Sequence, residues 1–215
     1  MAPRTRVKIC GITRLQDASM AQALGADSLG FVFVPASKRY IAPSATLEIV
    51  QTLSPFVTCV GLFLNADAQD VRDVLSIMPS MMPQFHGQET AEYCDQFGRP
   101  YLKAIGVGGG MPTAAELSVF RLCSGFLFDS NAPGELGGTG HAFDWTKLST
   151  DFERPLILAG GLNLHNVERA IKEIAPHAID VSSGVELRKG IKDPEAMKSF
   201  MAAVSKADTN KTTGC

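Results

Sequence analysis

Along the chain, short apolar runs alternate with longer segments whose apolar positions recur every three or four residues. Runs of the first kind are Val7–Cys10, Ser28–Val34, Thr58–Leu64, Met81–His86, Tyr101–Val107, Gly125–Asp129, Pro155–Ala159 and Ala178–Ser182. Segments of the second kind are Leu15–Leu24, Ser44–Leu53, Ala68–Met78, Ala91–Phe97, Thr113–Phe120, a short Asp144–Leu148, Leu164–Ile174 and Pro194–Ser205. Short apolar runs predict buried strands and the periodic stretches predict helices. Strict alternation of the two predicts the α/β class, with a parallel sheet and crossover connections. An open doubly wound sheet is the alternative architecture, but eight strands laid out flat leave two edges to protect. Closure into a single (β/α)8 TIM barrel removes both, and 215 residues suit one such domain. The barrel is expected over residues 1–205, with the polar stretch 206–215 as a frayed tail.

Local signals support these elements. Thr13 precedes the first helix, Asn163 the seventh, and Asp193 stands just before Pro194, which suits a first helical position. Gly25, Gly98 and Gly125 fall where helices stop or turns begin. Pro83 is the exception. It lies inside the fourth strand, where a central strand needs its backbone N–H, so a bulge or a late strand start is expected there.

Composition narrows the function classes. A net charge of −2 gives no footprint for nucleic acid or for an anionic membrane surface. No apolar run approaches the roughly 20 residues that span a bilayer, and Met1–Arg6 lacks an apolar signal core. A cytoplasmic address is expected. The five cysteines, Cys10, Cys59, Cys94, Cys123 and Cys215, form no CxxC pair and no zinc spacing with the four histidines, so they are expected as free thiols with no metal site.

In an α/β barrel, chemistry sits at the C-terminal ends of the strands and in the loops that follow. Gly160-Gly161-Leu162 follows strand seven and Ser182-Ser183-Gly184 follows strand eight. Their backbone N–H groups are candidates for a phosphate grip involving Gly160, Gly161, Ser182, Ser183 and Gly184; tight turns alone are the plainer reading. Period-two alternation sends Lys8 and Cys10 inward on strand one, and Asp180 and Ser182 inward on strand eight. These strands become neighbours on closure, so a buried Lys8–Asp180 pair is expected, since either charge alone would be costly. Cys10 is a candidate base, or else a small buried hydrophobe. Asp129 is a candidate acid or a loop cap. Arg39 is a candidate carboxylate clamp or a solvated loop charge. His86 either borders the site as a substrate-binding residue or is a satisfied structural histidine. Glu186 and Lys189–Lys192 read as loop order rather than chemistry.

Lys8-Ile9-Cys10-Gly11-Ile12-Thr13, Gly30–Phe33 with Ser37–Tyr40, Val60–Phe63, Gln84–Gly87, Phe128–Ser130, Gly137–Gly140, Ala159–Leu162 and Asp180–Glu186 follow one another along the chain. Taken in that order, these segments resemble phosphoribosylanthranilate isomerases. The resemblance covers roughly Val7 to Ser205. It implies an Amadori rearrangement of N-(5-phosphoribosyl)anthranilate in tryptophan biosynthesis, without cofactor or metal. The small-molecule substrate is the only partner it implies, and a monomer rather than a homodimer is expected. It also implies Cys10 as general base, Asp129 as general acid, Arg39 on the anthranilate carboxylate, and the loops after strands seven and eight on the phosphate. Pro83 and Phe85 depart from the family pattern beside His86. The chemistry requires a protonated acid and a thiolate together, so burial is expected to raise Asp129 and a modest lowering to suffice for Cys10. A histidine-pathway aldose–ketose isomerase, which would use a carboxylate pair, and a non-catalytic phosphate-binding barrel are the competing readings.

Overall fold

The computed structural model describes residues 4–130 and 154–212. Eight strands form the sheet: β1 (Arg6–Cys10), β2 (Ser28–Val32), β3 (Thr58–Phe63), β4 (Met82–Phe85), β5 (Tyr101–Gly106), β6 (Cys123–Asp129), β7 (Leu156–Leu158) and β8 (Ala178–Val181). Each pairs in parallel with the next and β8 returns to β1, closing the barrel. The helices α1 (Leu15–Ala23), α2 (Pro43–Val50), α3 (Ala68–Ile77), α4 (Ala91–Asp95) and α5 (Ala114–Ser118) follow the first five strands. α6 (Val167–Ile174) follows β7 and α7 (Pro194–Thr212) follows β8. The expected helix Asp144–Leu148 and the segment Gly137–Gly140 lie outside the described residues.

Strand alternation sorts the apolar side chains into two cores. Outward residues such as Val7, Ile9, Leu29, Phe31, Phe85, Phe128, Ile179 and Val181 pack under the helices. Inward residues Val60, Leu102, Ala104, Leu127, Ile157, Ala159 and Ala178 fill the barrel. The interior is thus a packed floor on which polar inward residues can stand.

Several local expectations need correction. α1 is capped at Arg14, not Thr13, whose hydroxyl donates instead to the Gly190 carbonyl. α6 begins after Asn166 rather than after Asn163; Asn163 and Asn166 build the preceding turn, where Asn166 Oδ1 accepts the Asn163 N–H at 2.8 Å. Asp193 does cap its helix, accepting from the N–H groups of Glu195 and Ala196. Gly125 lies within β6, which starts at Cys123.

Pro83 produces no bulge. It pairs in register with Gly61. The His86 N–H donates to the Phe63 carbonyl at 2.8 Å, so alternation turns the backbone of Pro83 towards β5. The β4–β5 pairing begins only at Gln84↔Leu102, beyond the missing donor, and β4 itself starts one residue late at Met82.

The expected frayed tail is helical up to Thr212. Ala207 packs into the core, and Asp208 accepts both the N–H and the hydroxyl of Thr5 at 2.7 Å. These bonds tie the end of α7 to the start of β1, contacts that polarity alone does not announce. No described helix is long and apolar enough to cross a membrane.

Candidate active site

One cavity at the C-terminal end of the barrel is lined by Cys10, Val32, Ser37, Arg39, Leu62, Leu64, His86, Asp129, Asp180 and Ser182. Six of the residues singled out in the sequence, Cys10, Arg39, His86, Asp129, Asp180 and Ser182, therefore line one cavity. Gly160, Gly161, Ser183 and Gly184 lie in the adjoining loops rather than on it.

Below the cavity, β1 and β8 pair with Lys8 opposite Asp180, and Lys8 Nζ meets Asp180 Oδ1 at 2.9 Å. Burial works against the ammonium, but Asp180 and Cys10 outweigh it and hold Lys8 above its ordinary value. The next inward residue of β1 is Cys10. Burial raises its thiol most, with Asp180 adding to the rise, while Lys8 and Lys192 pull it down; the net direction is upward. The direction is thus opposite to the modest lowering that would suffice for the chemistry, because the thiol sits in a packed interior. Gly30, in register with Cys10 on β2, makes room for it: a Cβ there would stand 2.7 Å from Cys10 Sγ.

His86 lines the same cavity. Gln84 Nε2 lies 3.0 Å from His86 Nδ1. The amide nitrogen can only donate, so Nδ1 accepts and Nε2 carries the proton. Nε2 lies 3.7 Å from Asp129 Oδ2. Burial, then the Lys8 and Lys103 ammoniums, lower His86 to about 4 against the pull of Asp180 and Glu89, so the ring facing Asp129 is neutral.

Arg39 does hold a carboxylate, that of Glu186. Nε and Nη2 donate to its two oxygens at 2.8 and 2.9 Å. Its stem crosses Gly11, where a Cβ would come within 2.5 Å of Arg39 Cδ. Glu186 also accepts from Lys192 Nζ at 2.9 Å, and burial of this pair is reflected in a lowered Lys192. Glu186 and Lys192, expected to order the loop, do so through these buried pairs, which also reach Arg39 on the cavity. They lie on a two-stranded hairpin of β9 (Glu186–Arg188) and β10 (Ile191–Lys192), and no local sequence signal shows that it folds back onto the rim.

Gly160 and Gly161 both adopt positive φ, +81° and +69°, which an L side chain rarely tolerates. A Cβ on Gly160 would also lie 2.6 Å from Ser130 Oγ. The Gly161 carbonyl is held by the side-chain amides of Asn163 and Asn166 at 3.1 and 2.9 Å. Gly184 bridges Asn163 and has no room for a side chain against the Leu162 carbonyl. The two loops are thus locked together. Among the described residues, the buried hydroxyls of Ser130 and Ser182 have no hydrogen-bond partner. Among the described residues no three His, Cys, Asp or Glu side chains converge to hold a metal ion.

Residues 7–203 match the family model of N-(5'-phosphoribosyl)anthranilate (PRA) isomerase. The chain belongs to that family. It is 45% identical to the N-(5'-phosphoribosyl)anthranilate isomerase of Hahella chejuensis over 201 residues, 94% of each chain. Among solved structures it is similar to the phosphoribosyl anthranilate isomerase of Thermus thermophilus (TM-score 0.84, 37% identity, 94% of this chain and 99% of the other). A second phosphoribosyl anthranilate isomerase was solved with reduced 1-(o-carboxyphenylamino)-1-deoxyribulose 5-phosphate (TM-score 0.80, 37% identity, 94% and 99% covered). In the present chain, Cys10, Asp129, Arg39 and His86 converge from β1, β6, the loop after β2 and the end of β4.

Proposed function

We propose that the chain isomerises N-(5-phosphoribosyl)anthranilate to 1-(2-carboxyphenylamino)-1-deoxyribulose 5-phosphate in tryptophan biosynthesis, with Asp129 as acid and Cys10 as base. The observation that carries the assignment of roles is that these two groups, from β6 and β1, border one cavity. Asp129 protonates the ribose ring oxygen and the C1–O bond breaks, leaving an iminium between C1 and the amine. The iminium acidifies the proton on C2, which the Cys10 thiolate removes to give an enolamine. Protonation at C1 and loss of the C2 hydroxyl proton then give the ketose. Carbon 2 is oxidised as carbon 1 is reduced within one molecule, so the balance calls for no cofactor.

Neutral His86, with its Nε2–H towards Asp129, keeps a hydrogen-bond donor beside the acid without adding a charge. Arg39 receives the anthranilate carboxylate. Gly160, Gly161, Ser182, Ser183 and Gly184 take the phosphate; the Ser130 and Ser182 hydroxyls, without a partner among the described residues, and the positive-φ glycines support that reading. A cytoplasmic location and a monomeric state complete the proposal, the latter to be read from light scattering.

Single-turnover kinetics of Cys10→Ser and Asp129→Asn test the roles. Each variant is expected to lose at least ~10²-fold in kcat, the ordinary scale of general acid–base catalysis, while binding the reduced product analogue within a few-fold of wild type. Near-normal kcat in either variant would remove that residue from the chemistry.

A further inference from the structure

The loop after β8 carries a buried charged cluster that the proton transfers do not use. Glu186 takes Arg39 Nε and Nη2 in a two-pronged pair and also accepts from Lys192 Nζ at 2.9 Å and the Gly190 N–H at 3.3 Å. Lys192 Nζ continues to the carbonyls of Cys10 at 2.6 Å and Ser182 at 3.1 Å. The side chains of Glu186, Lys192 and Arg39 are 3%, 0% and 10% exposed. Within this cluster two cations meet one anion, beside a cavity that Arg39 lines together with Asp129 and Asp180. A guanidinium presents five N–H donors in fixed geometry. Glu186 occupies the Nε–Nη2 edge, which leaves the Nη1–Nη2 edge as a second fork with no side-chain partner among the described residues.

We infer that Glu186 is a positioning residue for substrate selection: with Lys192 it locks Arg39 so that the free Nη1–Nη2 fork receives the carboxylate of the aromatic amine. The hairpin β9–β10 is then part of the specificity apparatus. Lys192, by binding the carbonyls at the ends of β1 and β8, anchors that fork to the strands that carry Cys10 and Ser182. The inference rests on the proposed role of Arg39. A competing arrangement is that Glu186 is a decoy that occupies Arg39 until substrate displaces it. The two predict opposite signs, because removing a positioner weakens binding and removing a competitor strengthens it.

The test is calorimetric titration of reduced 1-(o-carboxyphenylamino)-1-deoxyribulose 5-phosphate and of its counterpart lacking the carboxyl group. The proteins are wild type, Glu186→Gln, Arg39→Ala and the double variant. Glu186→Gln is expected to weaken the carboxylated ligand about ten-fold, the loss of one well-placed charge-assisted contact, while the decarboxylated ligand stays within two-fold. In the Arg39→Ala background the same substitution is expected to have no further selective effect. Tighter binding of the carboxylated ligand would overturn the inference in favour of the decoy. An equal loss for both ligands, or no loss, would overturn it in favour of a scaffold role. Arg39→Ala weakening both ligands alike would sink the reading of Arg39 and the inference with it; a selective Arg39→Ala with an unselective Glu186→Gln would sink the inference alone. If Glu186→Gln does not fold, Glu186→Asp, which keeps the charge but shortens its reach, is expected to show the same selective loss, and its absence would count against the proposal.

Discussion

On lowering the pH, the unfolded chain takes up a proton on His86 well before the folded protein does. The side chain is 9% exposed, its Nδ1 accepts from Gln84, and burial with the Lys8 and Lys103 charges brings it down from 6.5 to about 4. In the unfolded chain the ring takes its proton near 6.5; in the folded chain it does so only near 4. Between those values the unfolded state binds more protons, so stability rises with pH through this window and this group contributes no slope above it. At ~1.4 kcal/mol for each tenfold change, the difference amounts to ~3 kcal/mol lost between pH 7 and pH 4. The assay is urea unfolding at intervals across that range for wild type and His86→Gln. A glutamine there does not titrate, and the carboxylates shared by the two proteins largely cancel in the difference. Wild type is expected to lose ~3 kcal/mol more than the variant on acidification. Parallel stability curves for the two proteins would refute a buried, neutral His86.

The remaining predictions concern the strands beneath the cavity. Lys8→Met strands the buried Asp180 carboxylate and is expected to cost ~3–5 kcal/mol, with much of it recovered in Lys8→Met/Asp180→Leu; strictly additive losses in denaturant titrations would argue against the pair. Gly30→Ala pushes a methyl to within 2.7 Å of Cys10 Sγ, so kcat is expected to fall by an order of magnitude or more, out of proportion to any drop in melting temperature; an unchanged kcat would show that the thiol position is not critical. Because burial holds the Cys10 thiol above its ordinary value, inactivation by iodoacetamide, which reacts with the thiolate, is expected to accelerate with pH only above the range of an exposed thiol, and acceleration at or below that range would contradict it.

Much of the site was legible before the fold. Cys10, Asp129 and Ser182 could be read because each ends an apolar strand, and a strand end in an α/β barrel faces the rim. The Lys8–Asp180 pair was legible as well, since period two fixes which residues point inward and closure makes the first and last strands neighbours. Glu186 and Lys192 were not. Their signal is a pair of charges in a glycine-containing turn, which is what a solvated loop also looks like, and their burial depends on a hairpin folding back over β1 and β8. Gly30 resembled any strand glycine until the β1–β2 register set it against the thiol.

The end of the chain shows the same division. The polar residues 206–215 carried no apolar periodicity, yet α7 runs on to Thr212 because Asp208 meets Thr5 across the barrel's lower end. Strand and helix identities, their alternation and the inward set follow from periods of two and 3.6 residues, which are local and written into the chain. Register, the direction of Cys10's pKa shift, the occupied fork of Arg39 and the orientation of His86 depend on which distant groups come within a few ångströms and how much water they displace. Those terms exist only once the barrel closes, and there the tertiary structure decides.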